Sequence, residues 1–168
     1  MTREQRVNYS IFAFIAGAIA RLTDLLDPIH ELCHYAAANS VGIEVLEMHW
    51  SSLTYAAIHP TVIYGGYMGE FLLYGTLVFF FSLSKRLAYG KVFPGHKVKA
   101  SFSLGILLVS WFNSFISLDF NVHALKYWES QAHVERNLII WGVFSSIVLI
   151  FLLVIYFKNW GNPSKEKV

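Results

Sequence analysis

Long apolar runs, rather than amphipathic stripes, dominate this chain. Ala100 to Leu118 and Asn137 to Phe157 contain no Asp, Glu, Lys or Arg, and the second is nearly all Ile, Leu, Val and Phe around Trp141. A helix that crosses a bilayer needs about 20 mostly apolar residues, so both stretches predict spans. Thr61 to Leu83 is long enough as well and carries one ionisable residue, Glu70, near its middle. The first segment is the least regular: Val7 to Ala20 is apolar, then Arg21, Asp24, Asp27 and Pro28 interrupt before the pattern resumes through Ala38. The expectation is an all-α integral membrane protein, a bundle of about four transmembrane helices near 8–38, 61–83, 100–118 and 137–157, forming one domain over 1–168. A cleavable signal peptide is not expected, because Arg21 and Asp24 stand where small cleavage-site residues belong. Between Gly42 and Ala56, Ile43 and Val45 alternate with Glu44, which predicts a short strand or re-entrant hairpin after the first span. Trp50 and Tyr55 in that stretch also suit a membrane interface.

Composition sharpens this picture. Of 168 residues, 55% are hydrophobic and only 14% charged, against roughly 25% charged in an ordinary soluble domain. A soluble secreted protein and a disordered tail fit poorly. The net charge of +2 comes with no clustered basic run, so no nucleic-acid partner is expected. The single cysteine, Cys33, excludes an intramolecular disulfide. With four spans, ten Lys and Arg residues fall on one side (the N-tail, the 84–99 loop and the C-tail) and two, Lys126 and Arg136, on the other. The positive-inside rule then places both termini in the cytoplasm, with Tyr156 and Trp160 as interfacial anchors.

One stretch carries sharp chemistry: His30-Glu31-Leu32-Cys33-His34, an HExxH. On a helix the two histidines share a face and can hold one zinc, while the glutamate reaches a metal-bound water as general base. Random placement of this composition gives about 0.01 such matches per chain, so chance is a weak explanation. The bland alternative is a polar helix face at a membrane boundary. Asp27 lies three residues before His30 on the same face, as an orienter of a bound imidazole or, with Pro28, as a helix-starting pair. Arg21 and Asp24 read as a local ion pair.

A zinc site of this kind needs a third ligand and an open position. Asp119, late in the third span, is the leading candidate, because the first and third spans run in the same direction and bring His30, His34 and Asp119 to one membrane face. His123, Glu129 and His133 in the following loop are alternatives, and His49 and His59 occupy the first loop. Gly65, Gly66 and Gly69 form a small-residue face that would let the second span approach the HExxH helix closely. Glu70 beside them is a spare ligand, a proton relay or an interfacial residue.

These residues resemble the site-2 protease family of intramembrane zinc metalloproteases, especially its short bacterial members. Ile29 to Ile43 looks like the family's HExGH helix with its trailing small residues. Tyr64-Gly-Gly-Tyr-Met-Gly-Glu70 is similar to the glycine-rich second-span motif. Asn113 to Asp119 looks like a degraded form of the segment that supplies the third ligand. Cys33 stands where the family has glycine, Phe120 follows the Asp in place of glycine, and a proline expected near Phe115 is missing. The resemblance implies a multi-pass protein of a bacterial cell membrane that cleaves membrane-protein or membrane-associated peptide substrates within the lipid bilayer. His30, His34 and Asp119 would bind zinc, Glu31 would be the base, and Asn113 would line the substrate path. The charge count turns the site toward the outer face, whereas many members open theirs toward the cytosol; either this chain faces outward or the span count is off by one. Two rival readings stay open: a catalytically inactive scaffold or regulator, and a non-enzymatic metal- or haem-binding membrane protein.

Overall fold

The computed structural model describes residues 3–87, 96–120 and 131–160. Among them are five helices and one hairpin: α1 (Arg3–Leu22), α2 (Asp27–Ser40), β1 (Val45–Met48), β2 (Leu53–Tyr55), α3 (Pro60–Leu87), α4 (His96–Phe120) and α5 (Gln131–Trp160). Pro60–Leu83, His96–Phe115 and Ala132–Lys158 are long and apolar enough to cross a membrane. Isoleucines, valines and phenylalanines of α5 cover its outer surface, among them Ile139, Ile147, Ile150 and Phe151. A soluble monomer rarely exposes such a face.

The segment expected as one span at 8–38 is instead two helices, Val7–Leu22 and Asp27–Ser40, bent by 63°. The cause is local. Asp24 adopts a left-handed backbone, φ 57°, which an L-residue inside a helix avoids. Pro28, in the first turn of α2, has no N–H to continue the α1 ladder. The helix does start at the expected Asp27-Pro28 pair, but Asp27 is not its cap: Leu26 is the N-cap, no side chain caps the helix, and the Asp27 carboxylate is held by Arg21.

At its other end α2 stops in a Schellman motif. Gly42 takes φ +72°, Ile43 N–H donates to Ala38 C=O at 3.0 Å and Gly42 N–H to Asn39 C=O at 3.2 Å. The chain then reverses through the expected hairpin. β1 and β2 pair antiparallel, Met48 opposite Leu53 and Val45 opposite Tyr55, with an irregularity between Val45 and Glu47. Its packing against α2 returns Tyr55 to the HExxH helix.

Helix α3 is the hub, packing on α2, α4 and α5. It runs antiparallel to α4, because Glu70 meets Ser110 and Phe81 meets Lys99. It runs parallel to α5, pairing Phe71 with Trp141 and Phe79 with Phe151. Phe71, Val78, Ile106, Leu107 and Trp141 form the centre of the core. Buried indole N–H groups need acceptors, and serines supply them across α4 and α5: Trp111 Nε1 donates to Ser145 at 2.9 Å and Trp141 Nε1 to Ser114 at 3.0 Å. Tyr156 is not the anchor expected at a membrane interface. It is buried, and its hydroxyl bonds that of Ser101 at 2.7 Å.

Helix α1 crosses α4 with the two backbones in contact. Ser10, Ala13, Gly17 and Arg21 share its buried face. A Cβ on Gly17 would overlap the Phe102 carbonyl, and one on Gly105 the Phe14 carbonyl. Neither backbone can step aside as a side chain would, so Gly105→Ala is expected to cost about 1–3 kcal/mol. Gly75→Ala, whose Cβ would meet only the flexible end of Leu152 at 3.4 Å, is the near-neutral control. Thermal unfolding in detergent followed by circular dichroism checks the pair; equal midpoints would contradict the crossing.

Candidate metal centre

The HExxH lies in the first two turns of α2, which rests on the glycine face of α3. A Cβ on Gly65 would strike Ala37, one on Gly66 would enter the His34 ring, and one on Gly69 would press on Cys33. The close approach expected of these glycines is therefore present, and it has a chemical result: the α3 backbone reaches the imidazoles.

Each histidine is gripped through Nδ1. The His34 Nδ1 lies 2.6 Å from the Val62 carbonyl oxygen, which can only accept, so this nitrogen carries the proton. The His30 Nδ1 lies 2.9 Å from Glu70 Oε2. That carboxylate is held by Arg21, whose Nε is 2.7 Å from Oε1 and whose NH2 donates to Oε2 at 3.3 Å. The Nε contact is close but off-line, an ion contact rather than a directed hydrogen bond. Ser110 donates to Oε1 at 2.8 Å. With both Nδ1 atoms donating, the two Nε2 lone pairs face each other at 3.0 Å. Lone pairs so placed repel unless a proton or a metal cation lies between them. Zinc bound at about 2.0–2.1 Å to each of two nitrogens in tetrahedral geometry separates them by about 3.3 Å. The donor pair thus fits a zinc ion.

Charge tells the same story. Arg21, Asp27, Glu31 and Glu70 gather here, all at most 17% exposed. With the carboxylates ionised, three negative charges face one positive charge, an excess of two in a low-dielectric bundle. An unbalanced buried charge is costly, and a dication or added protons would balance it.

The two glutamates are not equivalent. Glu70, 1% exposed, has both oxygens occupied by His30, Arg21 and Ser110. Glu31, 7% exposed, accepts no side-chain or backbone hydrogen bond among the described residues, which leaves its lone pairs for a proton. The Tyr67 ring lies 4.7 Å from that of His30, and the Tyr55 ring 6.4 Å from that of His34. Burial first, and then the charge of Glu31, push the Tyr55 phenol up to about 12, so it stands here as a neutral hydroxyl.

The structure brings His30, Glu31, His34 and Glu70 together and redistributes other roles. Asp27 does not orient a histidine; its carboxylate lies 3.1 Å from Arg21 NH1, and Glu70 takes the histidine instead. Arg21 pairs with Asp27 and Glu70 rather than with Asp24, because it lies on the buried face of α1 while Asp24 is exposed at the turn that ends the helix. Glu70 touches His30 through Nδ1, away from the Nε2 pair, so it is no spare ligand. His59 caps α3, its Nδ1 accepting from Thr61 N–H at 3.1 Å, and His49 pairs with Glu47 on the exposed hairpin. His133 is exposed in the first turn of α5.

Among the described residues no third His, Cys, Asp or Glu joins the histidines. Asp119 belongs to α4, nine residues beyond Ser110 and so about 13 Å further along the axis at 1.5 Å per residue; its side chain lies outside the described residues, as do His123, Glu129 and the Trp160 side chain. Asn113, half-buried, sits about one turn past Ser110. Sequence reasoning missed Ser110, Tyr67 and the Val62 carbonyl as neighbours of the pair. Arg21, read from the sequence as a partner of Asp24, had carried a signal as an ionisable residue beside an apolar segment.

The chain matches no protein-family model, no curated protein and no solved structure.

Proposed function

We propose that this protein is an intramembrane zinc metallopeptidase, similar in chemistry to the site-2 proteases, that hydrolyses peptide bonds of membrane-protein or membrane-associated peptide substrates. The observation that carries the reading is the convergence of the His30 and His34 Nε2 atoms, both Nδ1 atoms being committed elsewhere, beside a nearly buried Glu31 with free lone pairs. A haem reading fares worse, since nitrogens 3.0 Å apart on one helix cannot stand on opposite faces of a macrocycle.

His30 and His34 would hold the metal, with Asp119 proposed as the third ligand. Zinc, when bound, lowers the pKa of its water and polarises the scissile carbonyl. Glu31 takes the water proton and hands it to the leaving amine, a role that needs an acceptor free of other donors. Glu70 and the Val62 carbonyl hold the rings so that both Nε2 atoms point to one place. The Tyr55 ring stands near His34 and carries a neutral hydroxyl that can donate to substrate. A helical substrate must unwind first, because its backbone groups are satisfied within its own helix. The three membrane-length helices and the apolar surface of α5 support residence in a lipid bilayer. With four spans and the termini in the cytoplasm, the site opens to the outer face; with a span count off by one it opens to the cytosol.

Elemental mass spectrometry on detergent-purified protein tests the centre. The expected result is close to one zinc per chain, lost in both His30→Ala and Asp119→Ala. Zinc that survives Asp119→Ala would pass the third-ligand role to His123, Glu129 or His133. A folded native protein without metal would overturn the peptidase reading in favour of a scaffold.

A further inference from the structure

Among the residues whose burial is described, Arg21 is the one buried arginine or lysine, and its surroundings are unusually complete. It ends the buried face of α1 that crosses α4, at the point where the chain bends by 63° into α2. Its NH1 takes Asp27 on α2 at 3.1 Å. Its Nε and NH2 take the two oxygens of Glu70 on α3, at 2.7 and 3.3 Å. Glu70 in turn accepts from Ser110 on α4 at 2.8 Å and faces His30 Nδ1 at 2.9 Å. Four helices meet in this chain of contacts, and it ends on one imidazole.

The arrangement does more than cancel charge. A carboxylate free to rotate would present either oxygen, or neither, to His30. Here the guanidinium engages both oxygens, and Ser110 adds a directed bond to Oε1. Oε2 is left facing the ring, which fixes the proton on Nδ1 and turns Nε2 toward His34. A planar fork with fixed donor directions does this, and a point charge does not.

We infer that Arg21 is a positioning residue for the metal centre, acting through Glu70 to hold His30 in its metal-binding orientation and tautomer, so that α1 belongs to the site although it supplies no ligand. This rests on the metallopeptidase reading.

The test has a built-in sign. If Arg21 were only a neighbouring positive charge, removing it would strengthen binding of a dication. If it positions His30, removing it weakens binding. Zinc affinity of the full-length protein in detergent micelles, measured by competition with a chromophoric chelator, separates the two. Glu70→Gln is expected to weaken zinc binding about 10- to 100-fold while circular dichroism stays unchanged. Arg21→Gln is expected to weaken it by at least about tenfold, and the double variant to fall no further than Glu70→Gln alone, since both act on one imidazole. The double variant also removes both charges of the buried pair, so it serves where Arg21→Gln alone does not fold. The visible spectrum of the cobalt-loaded protein should change in Glu70→Gln, reporting altered ligand geometry. Unchanged or tighter zinc binding in Arg21→Gln, or unchanged binding in Glu70→Gln, would overturn the positioning role and leave the metal site standing. A native protein that binds neither zinc nor cobalt would overturn the site itself, and this inference with it.

Discussion

Glu31→Gln is expected to bind zinc as the native protein does, to fold as it does, and to lose peptide cleavage. Glutamine preserves the shape and the burial of position 31 but not its ability to take a proton. A general base contributes about 10²- to 10⁴-fold, so residual activity should fall by at least a hundredfold. The prediction is sharp because the competing carboxylate is already committed: Glu70 has both oxygens in contacts with Arg21, Ser110 and His30 and cannot replace it. Membrane-protein substrate incubated with native and variant protein in detergent, with zinc content measured on the same samples, gives the answer. A Glu31→Gln protein that still cleaves would end the assignment. A protein that loses zinc along with activity would show Glu31 supporting the metal rather than the water.

The second large effect is expected at Gly66. An added methyl there would enter the His34 ring, which cannot retreat without breaking its 2.6 Å contact to the Val62 carbonyl. Gly66→Ala should therefore cost about 1–3 kcal/mol in overpacking and also turn the His34 Nε2 away from that of His30. Zinc binding should weaken at least tenfold, by the same chelator competition. Gly75→Ala, on the same helix, should leave binding untouched. Full zinc affinity in Gly66→Ala would mean that the two helices are not held this close.

Much of this was legible in the residues. The three long apolar runs became α3, α4 and α5, each containing a stretch long and apolar enough to cross a membrane. The glycines of α3 announced a close neighbour, and the alternation after Gly42 announced a hairpin. HExxH spacing by itself sets two imidazoles on one helix face. What could not be read is where the polar residues point once helices bend. Arg21 and Asp24 are three apart and would pair on a straight helix; a left-handed Asp24 stands exposed where the helix has ended, while Arg21 faces inward with Ser10, Ala13 and Gly17 and meets Glu70, forty-nine residues away. Asp27 looked like the partner of His30 for the same reason, and lost that place to Glu70. The Val62 carbonyl grips His34 as backbone, and no side-chain pattern reports that. Tyr156 looked like an anchor because aromatic residues near span ends usually are; a serine one helix away drew it inside.

The glycine contacts also divide the bundle mechanically. At two seams, α2 with α3 and α1 with α4, atoms already touch where a methyl group would not fit, so sliding or rolling there meets hard repulsion at once. Helix α5 is joined differently, through aromatic rings and hydroxyl bonds to α4 and with fewer close approaches to α3. Side chains can re-orient where backbones cannot. The spacing of α2 against α3 and of α1 against α4 is thus set by backbone contact, whereas that of α5 is set by side chains.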